Sequence, residues 1–357
     1  MKILHTADLH IQRVGDIRWQ ALQTVLQLAN QHHVEVVIIS GDLFDAAYQA
    51  EQIRGEIRSL LEGFSGKVIL LPGNHDSAAF QDGYFWGNNV QVILDAFHPV
   101  QVKDALFWGI PFQKIHEEQI ASLLLQMDRQ ARENHPDARH LLLFHGGLLD
   151  LSGNRGGYGE EGDSRYMPVQ LAYFHNRIWQ YVLAGHFHSS FHALPIDEGK
   201  YFVYPGSPVS ITRKEIHQRR VNIFRLGSPP LAMKVNTPYF HPVEITLSIE
   251  DDWSLLFKRI QEYLQGLPSN AMPLLRLVGV FDGQRFNMNE QALINTIKKE
   301  FAAVEVQEFT AIDLHQLVND DLFLTIQNKI RQRSQLTPEQ REDLIHFLIQ
   351  VMTETVP

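Results

Sequence analysis

The sequence of 357 residues contains no cysteine. Disulfide bonds and thiolate metal ligands are therefore excluded, and a reducing compartment is compatible with this composition. No apolar run is long enough to span a bilayer, so no membrane partner is expected. The opening residues pass directly into a predicted strand, without the charged and apolar segments of a secretory signal. These absences predict a cytoplasmic globular protein.

Positive charge is also scarce, with 31 Lys and Arg against 41 Asp and Glu and a formal net charge of −10. That balance argues against a passive nucleic-acid coat protein. It does not exclude an enzyme that acts on nucleic acid, because bound divalent cations would add positive charge at the site itself. Local basic clusters could hold phosphates elsewhere. Arg213-Lys214 and Arg219-Arg220 are such clusters, and each is either a nucleic-acid patch or a solvated face.

The chain is long enough for two or three domains, and its apolar fraction of 44% is that of a globular protein. Residues 1–238 alternate strand and helix patterns and then continue in many short strands, which predicts an α/β domain with a pair of mixed sheets. Residues 239–312 follow a Pro- and Gly-containing stretch and have the pattern of a compact β-α-β-α-β unit. Residues 313–357 predict two amphipathic C-terminal helices.

Five predicted strands end in polar side chains of the kinds that bind metal ions. The strand Lys67–Leu71 breaks at Pro72-Gly73 into a turn with an amide, an imidazole and a carboxylate in consecutive positions, Asn74 to Asp76. The other such stretches are Ile3–His10, Val36–Asp42, Leu141–His145 and Tyr181–His188. Open α/β sheets place their sites outside the carboxyl ends of strands, so one shared site is expected.

These strand ends supply a set of ligands suited to hard and borderline divalent ions, which prefer carboxylate, amide and imidazole groups. The candidate metal ligands are Asp8, His10, Asp42, Asn74, His145, His186 and His188. In an extended segment alternate residues point the same way, which aligns each Asp-x-His or His-x-His pair. Two ions about 3.5–4 Å apart would clamp a phosphate oxygen between them. His5, on the first strand, is interpreted as a satisfied core group or as a group that supports a ligand, and not as a ligand itself.

The order and the residues of these motifs resemble those of calcineurin-like metallophosphoesterases. The motifs that carry the resemblance are Asp8-Leu9-His10, Gly41–Asp45, Gly73–Asp76, His145-Gly146 and Gly185–His188. Within that superfamily the sequence resembles the SbcD-type DNA repair nucleases, and the stretches Lys2–His10 and Tyr204–Ser207 agree with that branch. The resemblance covers residues 1 to about 225 by motif and the remainder by domain order. It implies an α/β sandwich of two mixed sheets flanked by helices, with a small α+β cap domain and C-terminal helices.

The resemblance also implies a role for each candidate residue. One divalent ion would bind Asp8, His10 and His188, a second would bind Asn74, His145 and His186, and Asp42 would bridge the two. His75 would lie over the scissile phosphate as a cation or general acid, and Asp45 would hydrogen-bond His75 and keep it protonated. Mn²⁺ is the expected ion, with Mg²⁺ as the alternative.

Two departures from the protein phosphatases of this superfamily favour a phosphodiester over a monoester. Those phosphatases follow the second Asp of the Gly-Asp motif with Arg-Gly, which clamps a terminal phosphate. Here Asp45 is followed by Ala46-Ala47-Tyr48, and Asp76 stands where they have Glu. The resemblance thus implies a DNA exonuclease, with endonuclease activity as a further expectation, that acts in double-strand-break repair by a two-metal mechanism. The alternatives are a phosphodiesterase for small nucleotides and a catalytically silent scaffold that binds DNA or an ATPase.

Several partners follow from the same resemblance. DNA is the implied substrate, and an SMC-like ATPase of the SbcC type would dock on the C-terminal helices of residues 313–357. The cap domain of residues 239–312 would meet DNA, and a homodimer is a further expected assembly. The polar loop of residues 152–165 is interpreted as either a gate for the substrate or a solvated surface excursion.

Overall fold

A computed structural model describes residues 1–81, 83–151, 167–315 and 321–354. The polar loop predicted over residues 152–165 lies outside the described residues. The chain divides into two compact units, Met1–Tyr239 and Phe240–Pro357. The second unit contains the C-terminal helices and all of the predicted cap domain except Tyr239.

The first unit is built on two mixed six-stranded sheets within the part of the chain that the structure describes. Its helices are α1 (Ile17–Gln31), α2 (Ala47–Glu62) and α3 (Glu117–Asn134). Its strands are β1 (Lys2–Thr6), β2 (Val36–Ser40), β3 (Lys67–Leu71), β4 (Val90–Val92), β5 (Val100–Val102), β6 (Ala105–Ile110), β7 (Arg139–His145), β8 (Tyr181–Gly185), β9 (His192–Pro195), β10 (Tyr201–Tyr204), β11 (Arg220–Arg225) and β12 (Ala232–Lys234). The strand orders are β12-β11-β1-β2-β3-β4 and β5-β6-β7-β8-β10-β9. The predicted α/β fold with two mixed sheets is therefore confirmed.

Each sheet buries both of its faces. Ile38 of β2 packs with Leu143 of β7 in the core between the sheets, whereas Val37 packs in the core that holds the buried side of α1. Strands covered on both faces carry continuous apolar runs rather than alternating ones, as in the Val-Val-Ile-Ile segment of β2. Asp16 starts α1, because its side chain accepts a hydrogen bond from Trp19 N at 2.7 Å.

The parallel pairings bring five strand ends to one edge of the molecule. Strands β1, β2 and β3 are mutually parallel neighbours, and so are β7 and β8. The two sheets are tied together at this edge by Ser40 Oγ, which donates a hydrogen bond to the Leu183 carbonyl at 2.9 Å. The polar residues that follow these strands therefore meet at the edge shared by both sheets.

The second unit has its own sheet and its own apolar core. Its strands are β13 (Tyr239–Leu247), β14 (Ala271–Phe281), β15 (Glu305–Phe309) and β16 (Ile312–Asp313). Its helices are α4 (Trp253–Gln265), α5 (Gly283–Phe286), α6 (Glu290–Glu300), α7 (Asp321–Gln332) and α8 (Pro338–Glu354). A capping box starts α8, since Gln340 N donates to Thr337 Oγ1 at 3.2 Å and Thr337 N donates to Gln340 Oε1 at 3.0 Å. Among the described residues, no helix has the length and apolarity needed to cross a bilayer.

Candidate metal centre

The seven candidate ligands lie together at the shared edge of the two sheets. Asp8 and His10 follow β1, Asp42 follows β2, Asn74 follows β3, His145 ends β7, and His186 and His188 follow β8. Six of the seven side chains are buried, and Asn74 is half-buried. The sequence places these residues up to 180 positions apart, so the fold alone creates the cluster.

Asp8, His10 and His188 form the first group of the cluster. Their ligand atoms all lie within 4.8 Å of one another. His188 Nε2 is 3.8 Å from Asp8 Oδ1, and the His10 and His188 rings are 5.0 Å apart. These are the three residues that the family resemblance assigns to one ion.

His145, Asn74 and His186 form the second group. His145 Nε2 lies 2.9 Å from Asn74 Oδ1, and the His145 and His186 rings are 5.4 Å apart. Asp42 lies between the two groups, because its Oδ2 atom is 3.2 Å from His145 Nε2 and 3.6 Å from His10 Nε2. A carboxylate in this position has the geometry expected of a bridging ligand.

Three imidazoles of the cluster are each anchored through Nδ1 and direct Nε2 into the site. His145 Nδ1 is 2.8 Å from the Ser40 carbonyl, which can only accept a hydrogen bond, so Nδ1 carries the proton. His10 Nδ1 lies 3.3 Å from Asp45 Oδ1, and His188 Nδ1 lies 3.4 Å from Glu215 Oε1. This arrangement fixes the tautomer that leaves the Nε2 lone pair for a metal ion.

The buried polar atoms of the cluster fit a cation. His10 Nε2 and Asp42 Oδ2 are buried and make no hydrogen bond within the described residues. Burial without a partner costs about 1–3 kcal/mol for each such group, and more for a charged one. A divalent ion between these atoms would remove that cost, and carboxylate and imidazole ligands suit such an ion.

The protonation of His145 supports the same conclusion. Burial lowers the pKa of His145, but the negative charges of Asp42 and Asp8 outweigh it and raise this pKa to about 10. Burial has the opposite effect on a carboxyl group, and it raises the pKa of Asp8. The carboxylates of the cluster thus attract a positive charge, and binding of a divalent ion would displace the proton from His145.

The ligand-bearing turns have strained backbones. Asp8, His10 and Asp42 have φ values of 56°, 51° and 52°, in the left-handed region that side chains rarely adopt. Hydrogen bonds between the two turns hold them there, including Asp8 N to the Gly41 carbonyl at 3.1 Å and His10 N to the Asp42 carbonyl at 2.9 Å. Strain of this kind concentrates at functional sites.

Two glycines allow the ligands to approach each other. A Cβ atom on Gly73 would lie 2.1 Å from Asp42 Oδ1, and one on Gly41 would lie 1.9 Å from His145 Nδ1. Gly41 also has a φ of 93°, which favours glycine. The Gly-Asp and Gly-Asn pairs of the sequence motifs are therefore required by close packing around the cluster.

Asp76 holds the turn after β3 from the inside. Its Oδ1 accepts from Gly73 N at 2.8 Å and its Oδ2 accepts from Phe44 N at 3.2 Å. Full burial and the neighbouring charge of Asp42 raise the pKa of Asp76 to about 7. This carboxyl group therefore holds the backbone of the turn that carries Asn74 and His75.

His75 and Asp45 lie beside the cluster in a different relationship from the predicted one. The described contact between them joins His75 Nδ1 to the backbone carbonyl of Asp45 at 3.0 Å. The Asp45 carboxylate lies 3.3 Å from His10 Nδ1 and within 4.8 Å of a ring nitrogen of His75, and it accepts a hydrogen bond from Gln12 Nε2 at 2.9 Å. The hydrogen bond with His10 lowers the pKa of Asp45 to about 2, with Gln12 and the nearby Arg18 adding to the effect against burial. The printed hydrogen bond to His75 therefore comes from the Asp45 carbonyl, while the carboxylate holds His10.

Glu215 is a part of the site that the sequence patterns do not reveal. It is 1% exposed, and besides facing His188 it accepts hydrogen bonds from Ser207 Oγ at 2.8 Å and Ile211 N at 2.7 Å. Burial alone would raise the pKa of Glu215, but the hydrogen bond and charge of His188, with smaller contributions, lower it to about 2. Glu215 is thus an anion that orients His188.

The comparisons with known proteins agree with this geometry. The model of the calcineurin-like phosphoesterase family matches residues 1–190, more than half of the chain. The chain therefore belongs to the calcineurin-like phosphoesterase family, whose members use divalent metal ions, and its fold and Asp/His groups are those of a phosphoesterase hydrolase.

Among curated relatives, the chain is similar to two nuclease and repair proteins. It is 24% identical over 255 residues to the SbcD component of the SbcCD nuclease of Staphylococcus epidermidis, covering 62% of this chain and 64% of the relative. It is 26% identical over 233 residues to the DNA double-strand break repair protein Mre11 of Saccharolobus solfataricus, covering 60% and 56%. The matches thus span less than two thirds of each relative, and they confirm the resemblance to SbcD-type nucleases.

Among solved structures, the protein TT1561 of Thermus thermophilus has a TM-score of 0.42 at 13% identity, covering 65% of this chain and 98% of that protein.

Proposed function

We propose that the protein is a metal-dependent nuclease that hydrolyses phosphodiester bonds in DNA, as an exonuclease with additional endonuclease activity. The observation that carries the proposal is the buried cluster in which the Asp42 carboxylate lies between His10 and His145, with the Nδ1 atoms of both rings anchored away from it. Asp8, Asp42, Asn74 and the cluster histidines would hold two divalent ions. Bound ions would supply Lewis-acid stabilisation of a phosphate oxygen and lower the pKa of a water molecule.

His75 is the group proposed to assist the leaving oxygen. Its ring is half-buried and lies 4.7 Å from the His10 ring, at the border of the ligand cluster. Nδ1 carries a proton, because the Asp45 carbonyl at 3.0 Å can only accept a hydrogen bond. In the cationic form of the ring, Nε2 would carry a second proton for the oxygen that leaves phosphorus.

Two features support a phosphodiester substrate and DNA in particular. The Ala46-Ala47 pair after Asp45 has no guanidinium to clamp the extra charge of a phosphate monoester. The similarity to the SbcCD and Mre11 proteins supports DNA over a small nucleotide. The same similarity is the basis for proposing Mn²⁺ as the native ion, a cytoplasmic role in double-strand-break repair, a homodimer, and DNA contact by the cap domain of residues 239–312.

The function is tested by assaying the purified protein with Mn²⁺ on end-labelled single- and double-stranded DNA. Bis-p-nitrophenyl phosphate, p-nitrophenyl phosphate and a cyclic nucleotide serve as comparison substrates. We expect Mn²⁺-dependent hydrolysis of DNA and of the diester, little hydrolysis of the monoester, and none by Asp42→Ala. Preference for the monoester or the cyclic nucleotide would contradict the proposal, and inactivity on all substrates would favour a silent scaffold.

We also propose that α7 and α8 dock on an SMC-like ATPase. Both helices present apolar side chains to solvent, including Leu344 and Phe347, which are 39% and 61% exposed. Amphipathic helices with such anchors suit docking into an apolar groove of a partner. Leu344→Ala/Phe347→Ala should abolish co-purification with the cognate SbcC-type ATPase and keep nuclease activity. Leu255→Ala, at an equally exposed leucine of the same unit, is the matched control. Unchanged binding by the double variant would contradict the docking proposal.

A further inference from the structure

A cavity of about 650 Å³ opens next to the metal-binding turn of the first unit. Part of its wall is formed by the three residues that follow His188, namely Ser189, Ser190 and Phe191. None of the candidate metal ligands lines it, so the cavity is separate from the cluster although it borders the same turn.

The lining of this cavity is positively charged. It contains Lys214, Arg219 and Arg220, and its described residues include no carboxylate. Arg219 is 3% exposed and is used internally, since Nε donates to the Ser207 carbonyl at 2.9 Å and the neighbouring Glu215 balances its charge. Lys214 and Arg220 are the exposed basic residues of the lining. In a chain with a net charge of −10, a cavity with three basic residues among its described lining residues favours an anionic ligand.

The cavity wall is rigidly connected to the metal-binding turn. Arg219 Nη1 donates to the Ser189 carbonyl at 2.8 Å, and Nη2 donates to the carbonyl of His188 itself. Ser207 N also donates to the His188 carbonyl, at 3.0 Å. These bonds fix the wall relative to His188. An anion held in the cavity would therefore keep a constant distance from a phosphate bound at the metal centre.

We propose that this cavity is a subsite for a backbone phosphate of the DNA chain, next to the phosphate that is cleaved. The inference rests on the proposed nuclease function and deepens it. Lys214 and Arg220 would neutralise the phosphate charge, a sequence-independent contact of the kind that positions nucleic acid on a protein. A small diester such as bis-p-nitrophenyl phosphate has a single phosphate, so it would use the metal centre without reaching this subsite.

The test compares Lys214→Ala/Arg220→Ala with the unaltered protein on two substrates, a single-stranded oligonucleotide and bis-p-nitrophenyl phosphate, both with Mn²⁺. The double variant Lys67→Ala/Arg129→Ala removes the same charge from two exposed positions outside the cavity and is the matched control. We expect kcat/KM for the oligonucleotide to fall about tenfold or more relative to kcat/KM for the small diester. The slope of log KM against log salt concentration should shrink by about one. Because the subsite requires a polynucleotide, excess inorganic phosphate should inhibit Lys214→Ala/Arg220→Ala and the unaltered protein equally.

Three results would overturn this inference. The ratio of kcat/KM for the oligonucleotide to kcat/KM for the small diester could be the same in Lys214→Ala/Arg220→Ala as in the control Lys67→Ala/Arg129→Ala. That result would show that the cavity does not bind DNA. Equal losses on both substrates would show that Lys214 and Arg220 support the metal-binding turn instead. Inhibition by inorganic phosphate that disappears in the Lys214→Ala/Arg220→Ala variant, without a change in the oligonucleotide ratio, would assign the cavity to a free anion.

The failure of the proposed nuclease function has a different signature. An unaltered protein that cleaves the small diester and leaves DNA intact would refute the nuclease function, and the subsite with it. The three results above concern only the cavity, because each of them is measured on a protein that cleaves the oligonucleotide.

Discussion

The Asp45 carboxylate lies 3.3 Å from His10 Nδ1, while Nε2 of the same ring lies 3.6 Å from Asp42 Oδ2. One carboxylate thus fixes the ring whose other nitrogen meets the proposed bridging ligand. Arg18 supports the arrangement from α1, since its Nη1 atom is 3.4 Å from Asp45 Oδ1 and donates to the His10 carbonyl at 2.7 Å. The relationship makes Asp45 a positioning residue for the metal centre.

Asp45→Asn should weaken the binding of one ion more than the other. An amide holds His10 less firmly than a carboxylate, and loss of such an outer partner lowers metal affinity by about ten- to a hundredfold. Because His75 is held by the backbone carbonyl, the acid limb of the pH–rate profile should stay in place. Calorimetric titration with Mn²⁺ and a pH–rate profile check both points. Unchanged affinity together with a shifted acid limb would restore the predicted carboxylate–His75 contact.

His75→Ala should keep the metal stoichiometry and lose turnover. The residue is proposed as an acid and not as a ligand, and general acid catalysis contributes about a hundred- to ten-thousandfold. The loss should be smaller for bis-p-nitrophenyl phosphate, whose p-nitrophenolate leaves without a proton, than for DNA. Elemental analysis and kcat on both substrates measure these effects. Full activity on DNA at normal metal content would exclude the role.

Glu215→Gln should reduce metal affinity through His188. Its carboxylate fixes His188 Nδ1 at 3.4 Å, so the neutral amide should cost about ten- to a hundredfold in Mn²⁺ affinity or activity. Excess Mn²⁺ should restore much of the rate if the effect is one of binding. Glu198→Gln, at an exposed position of the same unit, is the control. A rate loss that Mn²⁺ cannot rescue would mean that Glu215 serves only the fold.

The strand ends and their ligand residues were accessible from the sequence because the signal is local. Lys67–Leu71 is an apolar run followed at once by Pro-Gly and three polar residues, and the structure has β3 with the same bounds. The seven candidate ligands meet because parallel strands bring their carboxyl ends to one edge of a sheet. The short strands Val100–Val102 and His192–Pro195 have no comparable sequence signal, because three or four residues are too few to show a periodicity.

The contacts that tune the site could not be predicted, since they depend on the three-dimensional path of the chain. Glu215 reaches His188 across 27 residues without any spacing pattern. The division of labour between the carboxylate and the carbonyl of Asp45 is invisible in a one-letter code. The cluster Arg219-Arg220 was considered as a single patch, but Arg219 is buried and bonded to carbonyls whereas Arg220 is exposed.

His5 gives a prediction for the dependence of stability on pH. The sequence predicts a satisfied core group or a group that supports a ligand, but both ring nitrogens are buried without a hydrogen-bond partner among the described residues. Burial lowers the pKa of His5 to about 3. The unfolded chain takes up a proton below about pH 6.5 and the folded chain does not. The contribution of His5 to stability is therefore full above pH 6.5 and is lost as the pH falls towards 3.

His5→Leu should remove this loss. Between pH 8 and pH 5 the free energy of unfolding should fall by about 2 kcal/mol less in the variant than in the unaltered protein. Urea unfolding at the two pH values, followed by circular dichroism, measures the difference. His135→Leu, at an exposed position, is the control and should leave the difference unchanged. The same pH dependence with and without His5 would show that its protonation is not coupled to folding.

The central claim is that Asp42 joins two metal ions, and anomalous diffraction from crystals soaked in Mn²⁺ tests it most directly. We expect two anomalous peaks, one beside Asp8, His10 and His188 and the other beside Asn74, His145 and His186, with an oxygen of Asp42 bound to both ions. A single peak, or two peaks of which only one contacts Asp42, would contradict the account.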